Sequence, residues 1–131
     1  MATIISRAEA ISLAKRNLLN IFGERDPQKR LAAMHETYAS DITFYEPDNI
    51  VTGFDAISDL VESLLSKAPD WVFKPADKIW VNHDMVTLEW GFGPEGGEAV
   101  VKGNDLMIIN SEGKVKAMYT MIFGISDRTL D

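Results

Sequence analysis

Apolar residues recur at helical spacing in three stretches of the chain. Ser6-Arg7-Ala8-Glu9 opens the first as a capping box, a hydroxyl at the N-cap with a carboxylate three residues on. Ala10, Leu13, Ala14, Asn17, Leu18 and Ile21 then fall on one face until Gly23. Asp26-Pro27 starts the second helix, with an acid at the N-cap and proline at the first helical position. Leu31, Met34, His35 and Tyr38 share its face. The third starts at Thr52-Gly53-Phe54-Asp55, which has the form of another capping box. Phe54, Ile57, Leu60, Val61, Leu64 and Leu65 make its apolar stripe, and Pro69 closes it.

The remaining pattern is strand-like. Ile42-Thr43-Phe44-Tyr45-Glu46 is short, β-branched and aromatic, and Pro47 ends it. Four longer runs lie between Trp71 and Phe123. Turn signals separate them at Asn82-His83-Asp84, Gly93-Pro94-Glu95-Gly96-Gly97 and Asn110-Ser111-Glu112-Gly113. Such short links predict an antiparallel meander, and helices followed by strands predict an α+β domain over residues 1–131 with the helices on one face of the sheet.

Alternate residues of a strand face opposite sides. Val101, Gly103, Asp105, Met107 and Ile109 therefore share one side, with Val100, Lys102, Asn104, Leu106 and Ile108 opposite. In the last run, Val115, Ala117, Tyr119, Met121 and Phe123 are expected on one side, with Lys114, Lys116, Met118, Thr120 and Ile122 on the other. Both faces are partly apolar. One should hold the core and the other should meet a second copy, which predicts a homodimer through the outer face of the sheet.

Composition narrows the classes. The chain has 131 residues, 46% of them hydrophobic and 25% charged, as in an ordinary globular domain. It has no cysteine, which excludes disulfides, thiolate metal sites and cysteine nucleophiles. The net charge is −7, and the first forty residues carry six basic against four acidic side chains. A chain this acidic is a poor partner for nucleic acid, and the basic helical part reads as a solvated face. The start, MATIISRAEA, lacks a basic region followed by an apolar run, and no window suits a membrane span, so a cytoplasmic protein without membrane contact is expected.

Asp105 is the sharpest candidate for chemistry. A carboxylate on the side of Val101, Met107 and Ile109 must be paired, hydrogen-bonded or protonated. It is either an acid bonded to a neighbouring side chain or hydrated wall, or a pocket acid with a raised pKa. Glu46 follows Ile42 and Phe44 on the apolar parity, but its terminal place also lets it lean into water. Inward acids from separate strands are how one site holds both a base and an acid. His35 is a boundary histidine or a pocket residue, and His83 belongs to an exposed turn. Two histidines without ligand spacing predict no metal site. Trp71, Trp80, Trp90, Phe92, Tyr119 and Phe123 are core residues, some of which suit the wall of a pocket for a flat apolar ligand. Gly91-Phe92-Gly93-Pro94-Glu95-Gly96 matches a dinucleotide fingerprint only superficially, since no helix follows and a proline interrupts it. The facing of Glu89 stays open.

Three stretches carry a resemblance: Tyr38-Ala39-Ser40-Asp41-Ile42-Thr43-Phe44, Gly53-Phe54-Asp55-Ala56-Ile57, and the segment from Gly103 through Asn110-Ser111-Glu112-Gly113-Lys114 to Val115. In this order the chain from about Ser6 to Gly124 resembles the SnoaL-like branch of the nuclear-transport-factor-2-like superfamily. The resemblance implies a cone-shaped α+β barrel, with three N-terminal helices on a curved mixed sheet and a pocket at the wide end. Members are often dimers. They include ketosteroid isomerases, polyketide cyclases, dehydratases, epoxide hydrolases and non-catalytic binding domains, so the fold does not select the function.

Ketosteroid isomerases place a base before a proline at the end of the first strand, matching Glu46-Pro47, and a protonated acid of the oxyanion hole in the strand where Asp105 stands. The resemblance thus implies Glu46 as base and Asp105 as donor to an enolate oxygen, the pKa logic for which that family is the standard example. The family's helix tyrosine falls near Leu18, and this helix has none; Tyr119 is the candidate replacement. The expected site is Glu46 and Asp105 as catalytic groups, with Leu18, His35, Trp90, Tyr119 and Phe123 around a small apolar molecule and no cofactor. The chemistry is isomerisation, cyclisation or dehydration of an apolar carbonyl compound. The alternative is a non-catalytic binding or dimerisation module of the same fold.

Overall fold

The computed structural model describes residues 5–130. Its first helical rod has two pitches. α1 (Arg7–Lys15) starts at Ser6, whose hydroxyl accepts the Glu9 N–H, and runs without a break into a wider π-helical segment over Arg16–Phe22. Gly23 closes it by donating to the Leu18 carbonyl, five residues back, at 2.9 Å. The predicted stripe survives the change of pitch: Ala10, Leu13, Ala14, Asn17, Leu18 and Ile21 are all buried. α2 (Pro27–Thr37) is capped by Asp26, which accepts the Gln28 N–H at 2.9 Å.

α3 (Phe54–Ser66) begins differently from expectation. Gly53, at φ 91°, is its N-cap and makes no side-chain cap bond. That backbone conformation favours glycine. Thr52 instead lies in a strand, where its hydroxyl meets that of Thr43 at 3.3 Å.

Six strands form one sheet in the order β2-β1-β6-β5-β4-β3. They are β1 (Tyr38–Tyr45), β2 (Ile50–Thr52), β3 (Trp71–Asn82), β4 (Met85–Pro94), β5 (Val101–Ile109) and β6 (Val115–Ile122). The predicted meander is β3 to β6. The other edge was not legible: β1 starts at Tyr38 rather than Ile42, hairpins into β2, and pairs parallel with β6, which makes the sheet mixed. Tyr38 therefore leaves the α2 face to which its spacing assigned it. α3 follows this hairpin, so only α1 and α2 precede the whole sheet.

The helices cover one face. Leu13, Leu18, Ile21, Met34, Ile57, Val61 and Leu65 pack with Ile42, Phe44, Val86, Leu88, Met107, Ile109, Val115 and Met118 in one core. Each such side chain stabilises the fold by roughly 1.5–3 kcal/mol. Register shifts between β1 and β6, β3 and β4, and β5 and β6 bend the sheet around this core. The shift near Val115 has a second effect. Val115 and Met118 are both buried, so Thr120 and Ile122 follow Met118 inward, while Ala117, Tyr119 and Met121 turn outward. A strict alternation from Val115 to Phe123 is corrected by that bulge. In β5 the predicted parity holds, with Gly103, Asp105, Met107 and Ile109 buried. Among the described residues, no helix is long and apolar enough to cross a membrane.

Candidate ligand cavity

Between α3, the π segment and the inner face of the sheet lies a cavity of about 710 Å³. Its depth is apolar and aromatic. Phe73 stacks on Phe92 with ring centroids 4.2 Å apart, and Trp90, Trp71 and Phe22 meet this pair edge-on or nearly so. Leu18 and Phe44 complete this wall. α3 forms the side facing the sheet through Leu60 and Leu64, with Asp59, Ser63 and Lys67 along the mouth.

Pairing register sets the polar groups in a row. Asp105 lies opposite Thr120, and Tyr45 lies opposite Tyr119, so Glu46 comes level with Thr120. Two strand spacings thus separate Glu46 from Asp105, roughly 10 Å along the sheet. Both line the cavity, as does Thr120 between them.

Asp105 is 6% exposed and accepts from Trp90 Nε1 at 2.9 Å and from the Thr120 hydroxyl, both on Oδ1. Among the described residues, none donates to Oδ2. Burial pushes its pKa up to about 6, against the lowering effect of the Thr120 and Trp90 hydrogen bonds. Trp90 reaches Asp105 diagonally across Gly103, where a Cβ would come within 2.5 Å of the indole. Glycine at 103 is therefore what lets the ring lie over β5. Glu46 is half-buried at the wet end of the row, where the Asn49 side-chain amide donates to Oε1 and its own N–H donates to the Asn49 carbonyl at 3.0 Å.

Behind this row stands a polar pair that the sequence reading passed over. Tyr38 is buried and donates to Asn17 Oδ1, while Asn17 Nδ2 is buried without a partner. Burial first, and the charge of Asp105 second, raise the Tyr38 pKa well above its ordinary value. The Tyr38 phenol is thus committed to Asn17 and does not line the cavity. The available signal was an amide inside an apolar stripe, Asn17 among Ala14, Leu18 and Ile21.

The other expected residues divide. Leu18 and Trp90 line the cavity together with Glu46 and Asp105. Tyr119 and Phe123 do not: the β6 bulge turns Tyr119 to the outer face, where it stacks on Tyr45 at 4.4 Å, and Phe123 is exposed past the end of β6. His35 is exposed and packs edge-on against Phe54 at 4.8 Å, outside the cavity. Trp80 is on the outer face, beside Thr87, and Glu89 is on that face beside Asn104. His83 occupies its exposed turn at φ 53°.

The SnoaL-like domain model matches residues 16–118, which span the π segment, the cavity wall and most of the sheet. The chain belongs to the SnoaL-like family. Solved SnoaL-like and related structures share the fold. A proposed isomerase of the SnoaL-like family from Agrobacterium tumefaciens strain C58 is 20% identical with a TM-score of 0.82, over 89% of this chain and 99% of that one. A proposed SnoaL-like polyketide cyclase from Jannaschia sp. CCS1 is 14% identical with a TM-score of 0.73, over 95% and 98%. An NTF2-like protein of unknown function from Cytophaga hutchinsonii is 17% identical with a TM-score of 0.65, over 88% and 97%. No curated protein matches this SnoaL-like chain at a significant level.

Proposed function

We propose that the cavity carries out cofactor-free acid–base chemistry on an apolar carbonyl compound, with Glu46 as base and Asp105 as donor to the carbonyl oxygen. The supporting observation is the row of two carboxyls in unlike surroundings, one desolvated beneath an indole and one at the wet rim of the same aromatic cavity. Environments that differ in this way push two acids into different roles. Glu46 takes the proton α to the carbonyl, and the C–H pair moves into an enolate. The enolate oxygen accepts a hydrogen bond from the protonated Oδ2 of Asp105, a contribution of about 3 kcal/mol in comparable sites. Return of the proton to another carbon gives an isomer. Attack of the enolate carbon on a second carbonyl, whose oxygen takes the proton back from Glu46, gives a cyclised product, and loss of a β-hydroxyl as water with that same proton gives a dehydrated one. The isomerase and cyclase descriptions of the two structural relatives fit this class.

Exchange of the α-protons of 2-tetralone in heavy water, followed by proton NMR, tests the reading without the natural substrate. The protein should accelerate exchange, and Glu46→Gln and Asp105→Ala should each lower the rate at least tenfold. The rate should also fall as the pH rises above about 6, where Asp105 loses its proton. Exchange no faster than buffer, or unchanged in Glu46→Gln, would sink the assignment.

A non-catalytic binding role is the second reading, supported by the ties of Asp105 to Trp90 and Thr120, which join three strands. It expects 2-tetralone to bind without exchange, and with the same affinity when both acids are amides. We also propose that a second copy covers the outer face of the sheet. Pairing aligns Tyr45, Tyr119, Leu106, Thr87 and Trp80 in one row across it, with Tyr119 and Trp80 at 40% and 51% exposure. A row of aromatics this exposed is what a subunit interface removes from water.

A further inference from the structure

We infer that Lys67, at the cavity mouth, is a specificity residue that receives an anionic group of the ligand, so that the preferred ligand is an amphiphile with a flat apolar body and one acidic substituent. This rests on the cavity being a small-molecule site, and not on the assigned roles of Glu46 and Asp105. α3 turns two faces to the protein. Ile57, Val61 and Leu65 are buried in the core, whereas Leu60 and Leu64 line the cavity and Asp59, Ser63 and Lys67 edge its mouth at every fourth residue. That stripe is about 12 Å long, with opposite charges at its ends. Among the described residues that line the cavity, Lys67 is the one cation.

The charges around Lys67 favour an incoming anion. Among the described residues the one ion pair is Arg30–Glu62, so the Lys67 ammonium has no carboxylate partner. Arg25 adds positive charge at the same end of α3. Three of its N–H donors are committed to the carbonyls of Leu65, Ala68 and Trp71 at 2.9, 2.8 and 2.8 Å, and Arg25 does not line the cavity. The Lys67 ammonium, by contrast, is uncommitted among the described residues and lies on the cavity lining. The competing acids are placed elsewhere: Asp59 is two turns away along α3, and Glu46 lies on the β1 side, four strands from β3, which starts next to Lys67. Asp70 is exposed and does not line the cavity. Directly inside the mouth, Ala68, Trp71, Phe73 and Phe92 offer the flat apolar surface against which the body of such a ligand would lie. The butyl stem of Lys67 can follow that surface while its head stays wet.

Two fluorescent probes of one shape separate the charge from the cavity: 8-anilinonaphthalene-1-sulfonate, which is anionic, and N-phenyl-1-naphthylamine, which is neutral. The wild-type protein should bind both. Lys67→Glu should weaken the sulfonate by about three- to tenfold and leave the neutral probe unchanged, and the difference should shrink in 1 M salt. Lys29→Glu makes the same change in net charge on the exposed side of α2, away from the cavity, and should alter neither. If Lys67→Glu leaves the ratio of the two affinities unchanged, or Lys29→Glu lowers it equally, the inference is overturned while the tetralone reading stands. Binding of neither probe by the wild-type protein would overturn it as well. Loss of tetralone exchange with the sulfonate preference intact would overturn the acid–base reading alone.

Discussion

Asp105 is a carboxylate on the buried side of β5, 6% exposed, in line with Gly103, Met107 and Ile109. Alternation along β5 placed it inward, and the cost of burying a carboxylate implied partners or a proton. The structure supplies the partners, with Trp90 and Thr120 donating to Oδ1, and burial lifts the pKa to about 6. The partners were not legible, because Trp90 reaches Asp105 only over the gap left by Gly103, and Thr120 faces inward only through the β6 bulge. The raised pKa has a consequence for stability. The folded state holds the proton more tightly than the unfolded chain, so the contribution is fully present below about pH 4 and is lost as pH rises through about 6. Over that window wild-type stability should fall, relative to Asp105→Asn, by up to about 3 kcal/mol. Asparagine keeps an acceptor for both donors and does not titrate. Urea unfolding at pH 4 and pH 7 checks this, and an equal pH slope in the two proteins would contradict it.

At the scale of elements, helix ends are closed by cations from elsewhere in the chain. Lys114 donates to the Glu36 carbonyl at 2.9 Å at the end of α2, and Arg25 donates to the Leu65 carbonyl in the last turn of α3 and to that of Ala68 just past it. The basic residues of the first forty therefore are not simply a solvated face. Arg30 is the extreme case. It is fully buried, donates to the Glu24 and Ser58 carbonyls and the Ser58 hydroxyl, and pairs with Glu62 at 3.1 Å. One guanidinium thus ties the turn before α2 to α3, the helix that walls the cavity. Arg30→Met should cost about 3 kcal/mol in urea unfolding, since it strands buried acceptors as well as removing the pair. A loss below about 1 kcal/mol would show that the site relaxes around the apolar side chain. The charge count put Arg30 with the solvated basic face, because a count records sign and number and not which acceptors gather around a side chain.

At the scale of the whole molecule, the sheet has two unlike faces. The inner one carries the core and the acid row. The outer one carries the aligned Tyr45, Tyr119, Leu106, Thr87 and Trp80, with Tyr45 and Tyr119 stacked within 8° of parallel. Light scattering at micromolar concentration should give twice the 14.6 kDa chain mass, and Tyr119→Lys with Trp80→Lys should return the monomer. A wild-type monomer would remove the dimer. The same two faces explain why the aromatic candidates divided. Trp90 belongs to the cavity and Tyr119 to the outside, although both came from strands with apolar residues on each side.

Local order in the chain was enough for the three helices, the apolar stripes of the first and third, the four-strand meander and the inward acid of β5. Each depends only on periodicity and on residues within a turn or a strand of one another. Capping at Ser6 and Asp26 was equally local and was found where expected. Tertiary structure decided what depends on pairing between distant segments. The parallel contact of β1 with β6 brought Glu46 level with Thr120, and one bulge exchanged Tyr119 for Thr120 on the inner face. A strand's period of two fixes relative facing only until one residue is inserted, and nothing in the neighbouring sequence marks that insertion. The cavity is likewise a property of the assembled layers: α3 stands off from the sheet along Leu60 and Leu64, and packing by Ile57, Val61 and Leu65 together with the Arg25 and Arg30 hydrogen bonds holds it there.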